Sequence, residues 1–323
     1  MAMDRTDPIN AERVRQGAQD EAEQIATWPK GHRLQGAKEY EILKPLGQGG
    51  FGVTYQAKVR KTGEWVVIKA VKRLSNYDPS KHSQDFVGEF TTLMKLAGIP
   101  HVVQPIDLIY DDGRQLPAIV LEWVSGSPLQ PLLSPEVAIV CMQQVGQALI
   151  QAHQRGILHR DIKPANLLKR QLTNGQIEIV VVDWGAARHF TENDPPTGFS
   201  SQWYSSREQR KNFKEDPRSD LYSLCVTFYE LITGWSLRDW KPGTPLPQPK
   251  GLDPHLWRIF VKGLAVQKKK RYASVETLLQ ALERWVKRSE VVLPESVTEA
   301  FTDPPQRGSS TEPSPRSPGL AAW

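Results

Sequence analysis

From His159 to Asn166 the chain reads His-Arg-Asp-Ile-Lys-Pro-Ala-Asn, and Asp183-Trp184-Gly185 begins seventeen positions later. One acid, one cation and one amide share a short loop, and a second acid lies on the following segment. Transfer of a phosphoryl group from a metal–nucleotide uses that set of side chains. A carboxylate orients the attacking hydroxyl and accepts its proton, while an ammonium neutralises charge on the moving group. An amide oxygen and a further carboxylate hold magnesium against the phosphates. On this reading Asp161 is the catalytic base, Lys163 the phosphate cation, and Asn166 and Asp183 the metal ligands.

Separate elements must deliver these side chains. Residues 177–182 are nearly all apolar and β-branched, which predicts a buried strand ending at Asp183. Upstream, Ser134-Pro135-Glu136 combines a capping hydroxyl, a proline for the first turn and an acid at the positive end of a helix. Val137, Cys141, Val145, Leu149 and Ala152 then make one apolar stripe, closed by Gly156. That helix is core, and it leads directly into the loop at His159.

Nearer the N-terminus, residues 40–71 read as strand, turn, strand. Gly47, Gly49 and Gly52 lie between two of these strands and let backbone N–H groups approach anionic phosphates. A dinucleotide-binding loop would instead open a helix, and a P-loop would need Lys-Ser or Lys-Thr, which is absent. Taken alone, the glycines also fit a flexible hairpin tip. Lys69 closes the run Val66-Val67-Ile68, where a half-buried ammonium needs a partner. Glu89, on a helix predicted over 83–96, is the candidate, with a surface salt bridge as the plainer alternative. Residues 118–124 read as a buried strand running into Gly126.

In this order, the Gly-rich hairpin, strand Lys, helix Glu, HRDIKPAN, DWG, Ser206-Arg207-Glu208 and Asp220 resemble the eukaryotic-type (Hanks-type) protein serine/threonine kinases. The loop Gly-Gly-Phe-Gly-Val-Thr-Tyr looks bacterial. The resemblance covers about residues 40–286 and implies an α+β, two-lobed fold, with a small β-rich N-lobe carrying helix C and a larger α-helical C-lobe. It divides the chain into an N-terminal extension (1–37), a kinase domain (38–288; N-lobe 38–122, C-lobe 125–288) and a Pro/Ser-rich disordered tail (289–323).

The same resemblance implies ATP and Mg²⁺ as cofactors. It also implies transfer of the γ-phosphoryl group to Ser/Thr hydroxyls of protein substrates, with autophosphorylation of the activation segment. Lys69 then grips the α- and β-phosphates with Glu89 as its ion-pair partner, and Gly47, Gly49, Gly52, Val53 and Val67 line the nucleotide. Leu121 is the gatekeeper, and Glu122 and Val124 supply hinge backbone contacts. Ser201 stands where a Thr steadies the catalytic Asp and Lys. Arg160 pairs with a phosphorylated residue, Thr197 being favoured over Thr191, Ser200 and Tyr204. Glu208 pairs with Arg271, and Asp220 is structural, bonding backbone N–H groups.

Lys163-Pro164 points to the serine/threonine class rather than tyrosine kinases, and with Arg160 argues against small-molecule kinases of this fold. Thr54, Val67, Trp184 and Ser206-Arg207 depart from the family pattern without removing a phosphate or metal contact. The rival from another class is a pseudokinase scaffold that binds nucleotide or a partner without catalysis.

Composition sets outer limits. A chain of 323 residues with 39% hydrophobic content can bury one large core or two modest ones. The net charge of +5 comes without a basic stripe interleaved with aromatics, so no nucleic-acid partner is expected. Only Cys141 and Cys225 are present, in no metal or redox spacing, which suggests a reducing compartment. No apolar run reaches the roughly 18 residues of a membrane span, and the first ten residues lack the apolar centre of a signal peptide. The expectation is a soluble, cytoplasmic protein; its oligomeric state is not written in the sequence.

Overall fold

The computed structural model describes residues 28–48, 52–71, 79–110, 116–190, 201, 203–235 and 247–302. Contacts divide the chain into two units, Met1–Val87 with Ile106–Leu121, and Gly88–Pro105 with Glu122–Trp323.

In the first unit, alternation builds the sheet. Strands β1 (Arg33–Gln35), β2 (Glu39–Gln48), β3 (Gly52–Val59), β4 (Trp65–Val71), β5 (Pro105–Tyr110) and β6 (Pro117–Glu122) form one six-stranded sheet in the order β1-β2-β3-β4-β6-β5. Tyr40 and Ile42 from β2, and Val53, Tyr55, Ala57 and Val59 from β3, point every second side chain into one apolar core. The antiparallel β3–β4 register sets Thr54 opposite Lys69 and Gln56 opposite Val67. β1 is an addition that the boundary at residue 38 left out: three residues give too little periodicity to read. It is pinned from outside, where the Asp107 carboxylate accepts from the Ala37 N–H (2.7 Å) and the Tyr40 hydroxyl (3.1 Å). Burial first, and then the neighbouring Asp107 charge, pushes the Tyr40 phenol pKa up.

Helix α1 (Pro79–Lys95) starts four residues before the predicted 83. Its length crosses the division between the units.

The second unit is organised on two buried helices. In α2 (Pro135–Gln154) the Ser134 hydroxyl accepts from the Val137 N–H (3.3 Å), with Pro135 in the first turn. The short strands β7 (Gly126–Pro128), β9 (Leu167–Gln171) and β10 (Ile177–Val181) form a sheet ordered β10-β9-β7, while β8 (Ile157–Leu158) pairs with β11 (Arg188–His189). Helix α3 (Arg207–Arg210) opens with a capping box between Ser206 and Gln209. Helix α4 (Arg218–Thr233) is almost wholly buried and stops at Gly234, whose left-handed φ of 68° suits a residue without Cβ. Helices α5 (Pro254–Gly263) and α6 (Val275–Ser289) complete the helical body.

The chain does not become featureless at 289. Helix α7 (Val297–Thr302) lies against β10 and α2, with Val297 fully buried and the Thr298 hydroxyl accepting from the Ile177 N–H at 2.6 Å. The expectation of a disordered tail from 289 is therefore corrected for 297–302: a single buried valine and a cation–π contact from Lys169 to Phe301 (4.4 Å) hold it. Residues 303–323, like residues 1–27 of the N-terminal extension, lie outside the described residues.

Candidate active site

Six backbone groups of the loop 159–163 are held from outside the loop or by its own side chains. Asp220, fully buried on α4, accepts from the His159 N–H and the Arg160 N–H at 2.8 Å each, and from the His153 ring at 2.8 Å. The Gln209 side chain donates to the Arg160 carbonyl (3.0 Å) and the Thr227 hydroxyl to that of Ile162 (3.1 Å). The Asp161 N–H donates to His159 Nδ1 (3.2 Å), and the Asn166 amide to the Asp161 carbonyl (2.8 Å). Asp220 thus serves the loop's N–H groups and not those of its own helix. Such saturation sustains the positive φ of Arg160 (70°), a conformation a non-glycine residue adopts only where its surroundings impose it.

The Asp161 carboxylate is the hub. Its Oδ2 accepts from Lys163 Nζ (2.7 Å) and Asn166 Nδ2 (3.2 Å), and its Oδ1 from the Ser201 N–H (3.0 Å). Lys163 Nζ also donates to the Ser201 hydroxyl (2.9 Å). Asp161, Lys163, Asn166 and Ser201 are therefore brought together. The Asn166 amide nitrogen donates to both the Asp161 carbonyl and the Asp161 carboxylate, which leaves the amide oxygen as the atom for a cation. An amide oxygen with carboxylates nearby is the hard donor set that suits magnesium.

Asp183 follows β10 with φ of 58°, again left-handed. The strand end is tied to the loop by the Val182 N–H donating to the Asn166 carbonyl (3.0 Å). Trp184 is buried, its indole N–H donates to the Val181 carbonyl (3.2 Å), and its ring meets His159 edge-on at 4.5 Å. Burial lowers the His159 pKa, despite nearby acids. The neutral ring accepts at Nδ1 and donates from Nε2 to the Val182 carbonyl (3.2 Å).

In the first unit, Val67 is buried, Val53 nearly so, and Lys69 half-buried on β4 with its ammonium 5.9 Å from the Phe86 ring centroid. Gly52 has a second reason to be glycine. A Cβ there would lie 2.9 Å from the Ala70 carbonyl oxygen and 3.0 Å from Phe86. Gly47 pairs with Thr54 beside a register irregularity in β2. Leu121 is buried at the end of this unit, whereas Glu89, Glu122 and Val124 belong to the other. Gly49 and Thr197 lie outside the described residues.

The family model described as "Protein kinase domain" matches residues 40–244. The chain belongs to the protein kinase family. A probable serine/threonine-protein kinase of Clostridium perfringens is 34% identical over 208 residues, 60% of this chain and 29% of that protein. Serine/threonine-protein kinase F of Synechocystis is 30% identical over 76% of this chain and 55% of its own length. For the kinase PknB of Mycobacterium leprae the identity is 29%, over 76% and 42%. The chain thus spans between about a third and about a half of these relatives. Among solved structures, the granulovirus kinase PK-1 of Cydia pomonella superposes with a TM-score of 0.62 at 17% identity, covering 84% of this chain and 98% of that one. The Mycobacterium tuberculosis PknI kinase domain gives 0.57 at 22%, covering 80% and 99%. Both show the two-lobed kinase fold.

Two features of this kinase-family chain escaped sequence reasoning. Arg160, expected to await a phosphate, is already engaged: it donates from Nε and Nη2 to the two oxygens of Glu215, both at 3.0 Å. The reason is proximity in space, since Glu215 lies 55 residues away and has no motif around it. Glu122, read for backbone contacts alone, also has its carboxylate committed. It accepts from the Gln104 N–H (3.0 Å) and from Arg170 (2.6 Å), which also binds Glu178. Burial opposes the Arg170 charge, but the carboxylates of Glu122 and Glu178 outweigh it and raise its pKa.

Glu208 and Arg271 form a buried pair, with contacts of 2.6 and 3.1 Å and Ser219 donating to the same carboxylate at 2.9 Å. Burial alone would raise the Glu208 pKa; Arg271 reverses that and holds it below the usual glutamate value. Asp220 follows the same logic, with burial outweighed by His153, His159 and the Arg160 N–H.

Proposed function

We propose that this chain is an active protein serine/threonine kinase that transfers the γ-phosphoryl group of Mg-ATP to Ser or Thr hydroxyls, its own activation segment included. The observation that carries the reading is the Asp161 carboxylate, gripped by Lys163, Asn166 and Ser201 in one network. Asp161 would orient the acceptor hydroxyl and take its proton, and Lys163 would offset charge on the moving phosphoryl oxygens. Asn166 and Asp183 would hold magnesium, which neutralises the phosphates when bound. Lys69 would bind the α- and β-phosphates with Glu89 as its partner, and Gly47, Gly49, Gly52, Val53, Val67, Leu121, Glu122 and Val124 would surround the nucleotide.

With so little covalent chemistry required of the protein, catalysis is positioning and charge stabilisation, and a loop saturated with hydrogen bonds supports that. Protein substrates, rather than metabolites, are supported by Arg160 and Lys163-Pro164.

Transfer of label from γ-phosphate to the protein itself and to a panel of Ser/Thr peptides and small hydroxyl metabolites tests the reading. Wild type is expected to label itself and peptides. Asp161→Asn should fall by about 10²–10⁴ in kcat. Nucleotide binding without transfer would instead make the protein a pseudokinase.

A further inference from the structure

We propose that Glu215 is a built-in counter-charge for Arg160, supplying from the chain itself the negative group that a phosphate on the activation segment would bring. The catalytic loop is then held without phosphorylation. This deepens the kinase reading above and rests on it.

The geometry is that of a fork filled by a carboxylate. Arg160 Nε and Nη2 each meet one Glu215 oxygen at 3.0 Å, and Nη1 donates to the Ala186 carbonyl at 3.3 Å. Parallel bonds of this kind combine charge with fixed orientation. The side chains are only 4% and 11% exposed, so the pair is shielded from solvent and salt. A guanidinium this buried needs a counter-charge, and breaking such a pair from one side leaves an uncompensated ion.

Glu215 is itself well anchored. Its neighbour Asp216 pairs with Lys268 at 2.8 Å, and that same ammonium donates to the Lys214 carbonyl at 2.7 Å. Pro217 then leads into α4. The carboxylate is thus delivered by a segment tied to the helical body.

Through Arg160 the contact reaches the chemistry. Arg160 precedes Asp161, sits at φ of 70°, and links the loop to the segment after Asp183 through Ala186. Glu215 is a positioning residue: it touches no reacting atom but fixes the residue next to one that does. A phosphate arriving from residues 191–200 would have to displace a carboxylate already seated, exchanging one negative charge for about 1.5 to 2.

The test compares untreated wild type, phosphatase-treated wild type, Glu215→Gln and Glu215→Asp, reading kcat and the KM for ATP alongside amide hydrogen exchange of residues 159–163. Phosphatase-treated wild type is expected to keep kcat within about twofold of untreated enzyme. Glu215→Gln should lose about tenfold to a hundredfold in kcat, with KM within about twofold and faster exchange in the loop. Glu215→Asp should recover part of that loss, a split that general destabilisation would not give. The proposal is overturned if phosphatase treatment lowers kcat tenfold or more, or if Glu215→Gln keeps wild-type kcat. Should no wild-type preparation transfer phosphate, the kinase reading fails by itself, and exchange alone decides: faster exchange in Glu215→Gln supports the contact's role, and equal rates overturn it.

Discussion

Asp220 shows how one side chain sets a loop. Its two oxygens accept three hydrogen bonds, two of them from successive N–H groups at His159 and Arg160. Asparagine is nearly the same shape, yet its amide group must turn a donor towards one of those donors. Leaving one buried N–H unmet costs about 1–3 kcal/mol. Asp220→Asn is therefore expected to lose about that much stability in urea denaturation. Its kcat should fall much more than its KM for ATP rises, because the loop carrying Asp161 loses its anchor while the first unit is untouched. Equal effects on kcat and KM would count against this account.

At the level of elements, the short helix α7 is the case where docking and folding separate. Val297 is buried and Thr298 caps the Ile177 N–H at the start of β10, the strand that leads to Asp183. Placing a charge at 297 would be ruinous in a core, but α7 can release. The cost of Val297→Asp is then bounded by what docking contributes, about 1.5–3 kcal/mol for one apolar side chain. Urea denaturation should show a loss within that bound, together with faster hydrogen exchange at the Ile177 amide. A larger loss would mean that α7 is part of the core and not an attachment to it.

For the whole molecule, acid sensitivity follows from three buried groups. Glu208 and Asp220 titrate below their ordinary values of 4.5 and 3.8 in the folded protein. Their stabilisation is full above those values and is lost as pH falls through the folded pKa, because only the unfolded chain takes up the proton in between. His159 is also depressed from 6.5, so the unfolded state gains a proton there first. Stability should decline gently below about pH 6.5 and steeply below about pH 4.5, each group contributing up to about 1.4 kcal/mol per pH unit. Urea titrations across that range check this. Glu208→Gln, though less stable at neutral pH, should show the shallower slope below about pH 4.5. Unchanged slopes would refute the assignment.

Much of this was legible in the chain of letters. The chemistry-bearing run 159–166, the helix opening at Ser134-Pro135-Glu136 and its close at Gly156 (φ of 78°) are local matters: capping, φ preference and apolar period act over a few residues, so sequence alone determined them. The family followed from the order of such segments. What only the tertiary structure decided is which distant partner each buried charge meets. Arg160 could have met a phosphate or a carboxylate, and Glu122 could have faced solvent. Their pairing with Glu215 and Arg170 depends on chain segments 55 and 48 residues away arriving within hydrogen-bond reach. Long-range charge pairing leaves no periodic trace, because it needs only one residue on each side and the fold to bring them together.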